Sequence, residues 1–143
     1  MNQTIKLPSV ITAIAVSLAL LGGGAIAQAD EKPESAEAKT YAVLFYADWC
    51  GTCKALDPKI EEAREALAEE PVLYVTFDMT DEKTTRHTAM LANALQLDEH
   101  FNENAGRTGF LLLIDAESRE VVDRITREDS AEDIRNKIAA ATS

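Results

Sequence analysis

The chain has 143 residues, 46% of them hydrophobic, with 25 acidic against 14 basic side chains and a net charge of −11 at pH 7. That acidity excludes a surface built to hold nucleic-acid phosphates or an anionic membrane, both of which need clustered lysine and arginine. The length accommodates one compact domain beside a short extra segment.

The extra segment comes first. Lys6 is followed by an apolar run over residues 10–21, a glycine break at Gly22, Gly23 and Gly24, and then Ala27-Gln28-Ala29. Small residues at the first and third positions before a cut suit signal peptidase, so residues 1–29 read as an export signal cleaved before Asp30. The run is too short for the roughly 20 apolar residues of a bilayer span, so the mature chain is expected to be periplasmic or otherwise secreted, with no stable membrane insertion. Residues 30–40 are polar and include Pro33, which reads as a flexible leader. The domain is then expected over residues 41–143.

Residues 41–46 form an unbroken apolar run rich in aromatic and branched side chains, the pattern of a strand covered on both faces. From Cys53 to Glu70 the apolar residues Leu56, Ile60, Ala63 and Leu67 recur at helical spacing, with Pro58 expected to kink the helix and Pro71 to stop it. Residues 72–77 predict a second buried strand. A second helix is expected from Thr80 or Asp81 to about Leu97, with Met90, Leu91, Ala94 and Leu95 facing inward. A polar stretch leads to a third strand at residues 110–114, and a turn at residues 115–118 to an antiparallel fourth at residues 121–126. Ser130 and Asp133 make a capping box for a last helix carrying Ile134, Ile138 and Ala141. The resulting α/β order, βαβαββα, implies a central mixed four-stranded sheet flanked by helices.

The chain has two cysteines, Cys50 and Cys53. A bridge across two intervening residues restricts the unfolded chain little, so the pair is poorly suited to stapling the fold and well suited to redox exchange. The cysteines lie where a buried strand hands over to a helix. There the free amides and positive helix end favour an anion, so the Cys50 thiol is expected to ionise below the ordinary value of about 8.5 and to act as nucleophile. Cys53, one turn on, is placed to resolve a mixed disulfide. Gly51 permits a tight turn and Trp49 offers a flat apolar contact surface.

The run Trp49-Cys50-Gly51-Thr52-Cys53-Lys54 after a hydrophobic strand, with Pro58 five residues beyond the second cysteine, resembles the thioredoxin family. With Tyr46-Ala47-Asp48 before it, the run is similar to the thioredoxin-like domain of the bacterial thiol-disulfide interchange transporter. The resemblance implies a thioredoxin-like fold over about residues 41–140. It also implies thiol-disulfide exchange through Cys50 and Cys53, and substrate contacts at Trp49, Gly51, Thr52, Thr108 and Gly109. The partners implied are protein disulfide substrates and an upstream thiol electron donor or acceptor. The chain is expected to act as a monomer, with no cofactor beyond the redox-active disulfide.

Two positions depart from the family pattern. Leu44 stands where thioredoxins carry a buried acid, and Gly109 stands where they carry a cis proline. The Thr108–Gly109 peptide is expected to be trans, because a cis bond before a non-proline residue costs about 2.5 to 4 kcal/mol. The preceding loop, with His100 and Phe101, is expected to wall the substrate groove and to narrow the partner range, and Gly109→Pro to broaden it. Two other functions use the same residues. One is a metal-binding or metal-delivery module in which the thiolates recruit His87 or His100. The other is a non-catalytic interaction module with vestigial cysteines. The export reading is checked by intact mass: the exported protein should begin at Asp30, and a mass retaining residues 1–29 would refute it.

Overall fold

The structure, a computed structural model, describes residues 37–143. The export segment and residues 30–36 of the leader lie outside the described residues. The rest of the expected leader is ordered into the fold. The Lys39 amide donates to Pro71 O, and Thr40 opens the first strand fully buried, its hydroxyl donating to Ala141 O at 2.7 Å.

Four strands, β1 (Thr40–Tyr46), β2 (Val72–Asp78), β3 (Phe110–Asp115) and β4 (Val121–Thr126), form one sheet in the order β2-β1-β3-β4. Strand β1 runs parallel to β2 and antiparallel to β3, and β3 pairs antiparallel with β4. The helices are α1 (Gly51–Ala66), α2 (Glu82–Ala94), α3 (Asp98–Glu103) and α4 (Ala131–Ala141). The mixed α/β architecture expected from the sequence is therefore present, with one short helix added.

Alternation along β1 and β3 divides the core into two layers. Val43, Phe45, Phe110, Leu112 and Ile114 face one side with Val75 and Phe77, against Ala92, Leu97 and Phe101. Ala42, Leu111 and Leu113 face the other with Ile125, against Leu56, Ile60 and Ala63 of α1 and Ile134 and Ile138 of α4. Because both faces are covered, β1 and β3 are apolar nearly throughout.

The expected second helix is divided in two. Gln96 takes φ of 59° and the amides of Gln96 and Leu97 return to Asn93 O and Ala92 O, a Schellman stop. Leu97 is thereby driven into the core and α3 begins within the stretch expected to be an irregular polar loop. The inward face also differs. Thr88 and Ala92 are buried, with Ala89 and Leu95 packed beside them, while Met90 is 72% exposed and Leu91 and Ala94 are exposed as well. Thr88 can face inward because its hydroxyl donates to Asp78 O at 2.8 Å, which satisfies the buried polar group. Strand β2 is an edge strand, so Leu73 and Thr76 are exposed rather than buried. Helix α1 starts at Gly51 rather than Cys53, runs on through Pro58, and ends at Ala66, where the Leu67 amide turns back to Arg64 O.

Helix α4 carries its capping box as expected, with Ser130 Oγ accepting the Asp133 amide at 3.1 Å and Asp133 Oδ2 accepting the Ser130 amide at 3.0 Å. The Ser130 hydroxyl, then its backbone amide, hold the Asp133 carboxyl below the usual 3.8. A lowered carboxylate contributes stability that is complete above its unfolded value and is lost as pH falls through its folded one. Ser130→Ala should cost about 1 kcal/mol at neutral pH in chemical denaturation and reduce the loss of stability on acidification below that value.

Candidate redox site

The site grows from the end of β1. After Tyr46 the chain turns through Ala47, buried, and Asp48, exposed, and the Cys50 amide donates back to Ala47 O at 3.1 Å. Cys50 then adopts extended angles, φ −81° and ψ 104°, and becomes the N-cap of α1. Its Sγ accepts the Cys53 amide at 3.1 Å, so the sulfur satisfies one of the free amides of the first helical turn. Sequence reasoning expected an anion-stabilising helix end here; the cap bond makes that specific to Cys50.

Cys50 and Cys53 are joined as a disulfide, with Cα atoms 5.3 Å apart. Cys50 is 7% exposed and Cys53 1%, and both pack with Ala47 and Tyr46 in a small cluster of their own. The Cys53 Sγ lies 3.7 Å from Phe45 O, facing the interior. Gly51 is exposed and Thr52 half-buried. Leu44, in the place expected of an acid, packs partly buried in the α1–α4 layer.

Trp49 is 61% exposed, and its indole N–H donates to Thr80 O at 3.1 Å. Thr80 Oγ1 also accepts the Asp48 amide at 3.0 Å, and its own amide donates to Asp78 Oδ1 at 2.8 Å. The Met79 amide continues the parallel pairing to Tyr46 O at 2.8 Å. The segment Asp78-Met79-Thr80 thus braces the turn before the cysteines. Sequence reasoning missed this role for Thr80. Its only sequence signal is an aspartate two residues earlier, the pattern of an Asx turn at a strand end.

On the other flank lie Thr108 and Gly109. No cis peptide bond occurs among the described residues, so Thr108–Gly109 is trans. Gly109 takes φ of +90° and its amide donates to Phe45 O at 2.8 Å. A Cβ there would sit 2.8 Å from both Cβ and Cγ2 of Thr52 and 3.5 Å from Cys50 Sγ. The amide and carbonyl of Thr108 have no hydrogen-bond partner among the described residues. The loop before it is held by Asn104, whose Nδ2 donates to His100 O and whose Oδ1 accepts from Arg107 Nη2.

The expected groove wall needs correction. Phe101 is buried, its ring edge-on to Phe77, and the His100 ring nitrogen is 2.7 Å from Arg119 O in the β3–β4 turn. That turn follows Asp115, which pairs with Thr40 at the end of the sheet opposite the cysteines. His87 is exposed on α2. Among the described residues no group of three or more histidine, cysteine or acidic side chains is placed to hold a metal ion, so the ligand set expected of a metal module is not assembled there. Nor can Gly109→Pro report on partner range, since proline excludes φ of +90° and removes the amide bonded to Phe45 O. Gly109→Ala instead combines a disfavoured angle with steric overlap and should destabilise the fold by about 1 to 3 kcal/mol in thermal or denaturant unfolding. A loss well below that would mean that the segment shifts freely.

The family model described as Thioredoxin matches residues 28–93. The protein disulfide-isomerase of Aspergillus oryzae is 32% identical over 83 residues, covering 46% of this chain and 16% of its own length. Thioredoxin-T of Drosophila melanogaster is 39% identical over 59 residues, covering 41% and 38%. This chain therefore spans well under half the length of the curated relatives it matches. Among solved structures, a thiol:disulfide interchange protein of the thioredoxin family from Chlorobium tepidum TLS superposes with a TM-score of 0.53 at 23% identity, over 76% of this chain and 83% of that one, a likeness of fold. The match to the family model takes in the β1–α1 junction that carries the disulfide, and the chain has a thioredoxin-like fold.

Proposed function

We propose that the protein is an exported thiol-disulfide oxidoreductase that works as a disulfide reductase or electron carrier on protein disulfides. The observation that carries this reading is the asymmetry of the bonded pair. Cys50, 7% exposed, caps the helix and its sulfur receives a backbone amide, whereas Cys53, 1% exposed, has its sulfur 3.7 Å from the carbonyl of Phe45. The match to the Thioredoxin family model supports the same chemistry, and the relatives, protein disulfide-isomerase and Thioredoxin-T, belong to that class.

In the reduced protein, the Cys53 amide that now bonds to Cys50 Sγ stabilises a thiolate on the same atom. That thiolate attacks one sulfur of a partner disulfide, forming a Cys50–partner bond and releasing the partner's other sulfur as a thiolate. Cys53, deprotonated, then attacks Cys50 Sγ. The mixed disulfide breaks, the partner leaves with both sulfurs reduced, and two electrons have passed to it as Cys50–Cys53 reforms. An upstream thiol donor restores the dithiol by the reverse sequence. Trp49 and the free backbone groups of Thr108 flank Cys50 and would hold an extended partner segment, the latter as a short stretch of added strand. Export before Asp30 would place this exchange in an oxidising compartment, where partner disulfides persist.

Reduction of insulin by the dithiol form is the direct test of the activity, and absence of turnover would refute it. Roles within the pair are checked separately. Cys53→Ser should accumulate mixed disulfides on Cys50, Cys50→Ser should abolish exchange, and alkylation of the reduced protein at neutral pH should label Cys50 first.

A further inference from the structure

We propose that Thr52 is a positioning residue that sets partner selectivity, acting through Gly109 rather than through the sulfurs. The proposal rests on the oxidoreductase reading and names how its groove is gauged. The side chain of Thr52 borders Gly109 on the side where a Cβ would project: such a Cβ would lie 2.8 Å from both Thr52 Cβ and Cγ2. The same phantom Cβ would be 3.5 Å from Cys50 Sγ, so Thr52, Gly109 and the nucleophilic sulfur share one contact.

Gly109 is tied on its other side, where its amide donates to Phe45 O at 2.8 Å. The Thr108–Gly109 segment is thereby gripped between the end of β1 and the first turn of α1. Thr108, the next residue outward, is the one whose amide and carbonyl are left without partners among the described residues. Their distance from Cys50 is therefore fixed by how far the Thr52 methyl holds Gly109 away. The Thr52 atoms nearest that space are Cβ and the methyl Cγ2, not Oγ1, so the methyl and not the hydroxyl is the part of the side chain beyond Cβ that reaches Gly109. A partner that pairs its backbone with Thr108 while its sulfur joins Cys50 must match this spacing. A small disulfide that touches only Cys50 need not.

The readout is the ratio of kcat/KM for insulin to kcat/KM for a small aromatic disulfide, 5,5′-dithiobis(2-nitrobenzoic acid), with KM and kcat resolved for each. Thr52→Ala removes the methyl and the hydroxyl, Thr52→Ser removes only the methyl, and Thr52→Val keeps the methyl and loses only the hydroxyl. The ratio should fall about fivefold in Ala and Ser, through a higher KM for insulin, and be restored by Val. A general loss of helix stability would lower both substrates together and leave the ratio unmoved. An active wild type whose ratio is the same in all three variants, or a Val variant as impaired as Ala, overturns the inference alone. A wild type inactive on both substrates overturns the oxidoreductase reading and this inference with it.

Discussion

The carbonyl of Phe45 is where the sheet and the site become one object. It accepts the Gly109 amide at 2.8 Å, which extends the β1–β3 ladder past Phe110, and it lies 3.7 Å from the sulfur of Cys53. The ring of the same residue stacks on Phe110 and meets Phe77 edge-on, tying β1 to both of its neighbours in the sheet. Because Phe45 is completely buried, its carbonyl has no water to turn to, and an unmade bond there would cost about 1 to 3 kcal/mol. The position of the loop before β3 relative to the disulfide follows from that constraint.

A second clasp works from the β2 side. Met79 extends the parallel pairing onto Tyr46, and Thr80 receives both the Asp48 amide and the Trp49 indole. The turn between β1 and α1 is thus held by both strands that flank β1, one through its end and the other through its beginning. This explains how a largely exposed tryptophan keeps a defined orientation beside an exchangeable bond. The sulfurs themselves contribute a small packed cluster with Ala47 and Tyr46, and the large hydrophobic layers lie behind them.

Much of this could be read from residue order. Strands β1 and β3 announce themselves as apolar runs because both of their faces are covered, and Ser130 with Asp133 marks the start of α4 through a bond that is local in sequence. The cysteine pair at a strand-to-helix junction was equally plain. What escaped depends on contacts between distant segments or on unusual local choices. The stop after α2 uses Gln96 in a left-handed conformation where glycine is the usual signal, so one long helix was expected. The inward turn of Thr88 depends on the carbonyl of Asp78, and the placement of His100 on a carbonyl in a later turn. The fit of Thr52 to Gly109 joins the two halves of the domain, and nothing in either neighbourhood points to the other.

The closure of the domain at its far end has a geometric consequence. Thr40 donates to Ala141 O, Lys39 Nζ reaches Thr142 O, and Thr142 Oγ1 reaches Glu70, so the beginning of β1 and the end of α4 are fastened together. The cysteines follow the other end of β1, a seven-residue strand that spans about 20 Å. A label, a tether or a fused domain attached on either side of this clasp would stand a full strand length behind the disulfide. The exchange face could then be presented forward from a surface or an assembly, like the tip of a probe held by its handle.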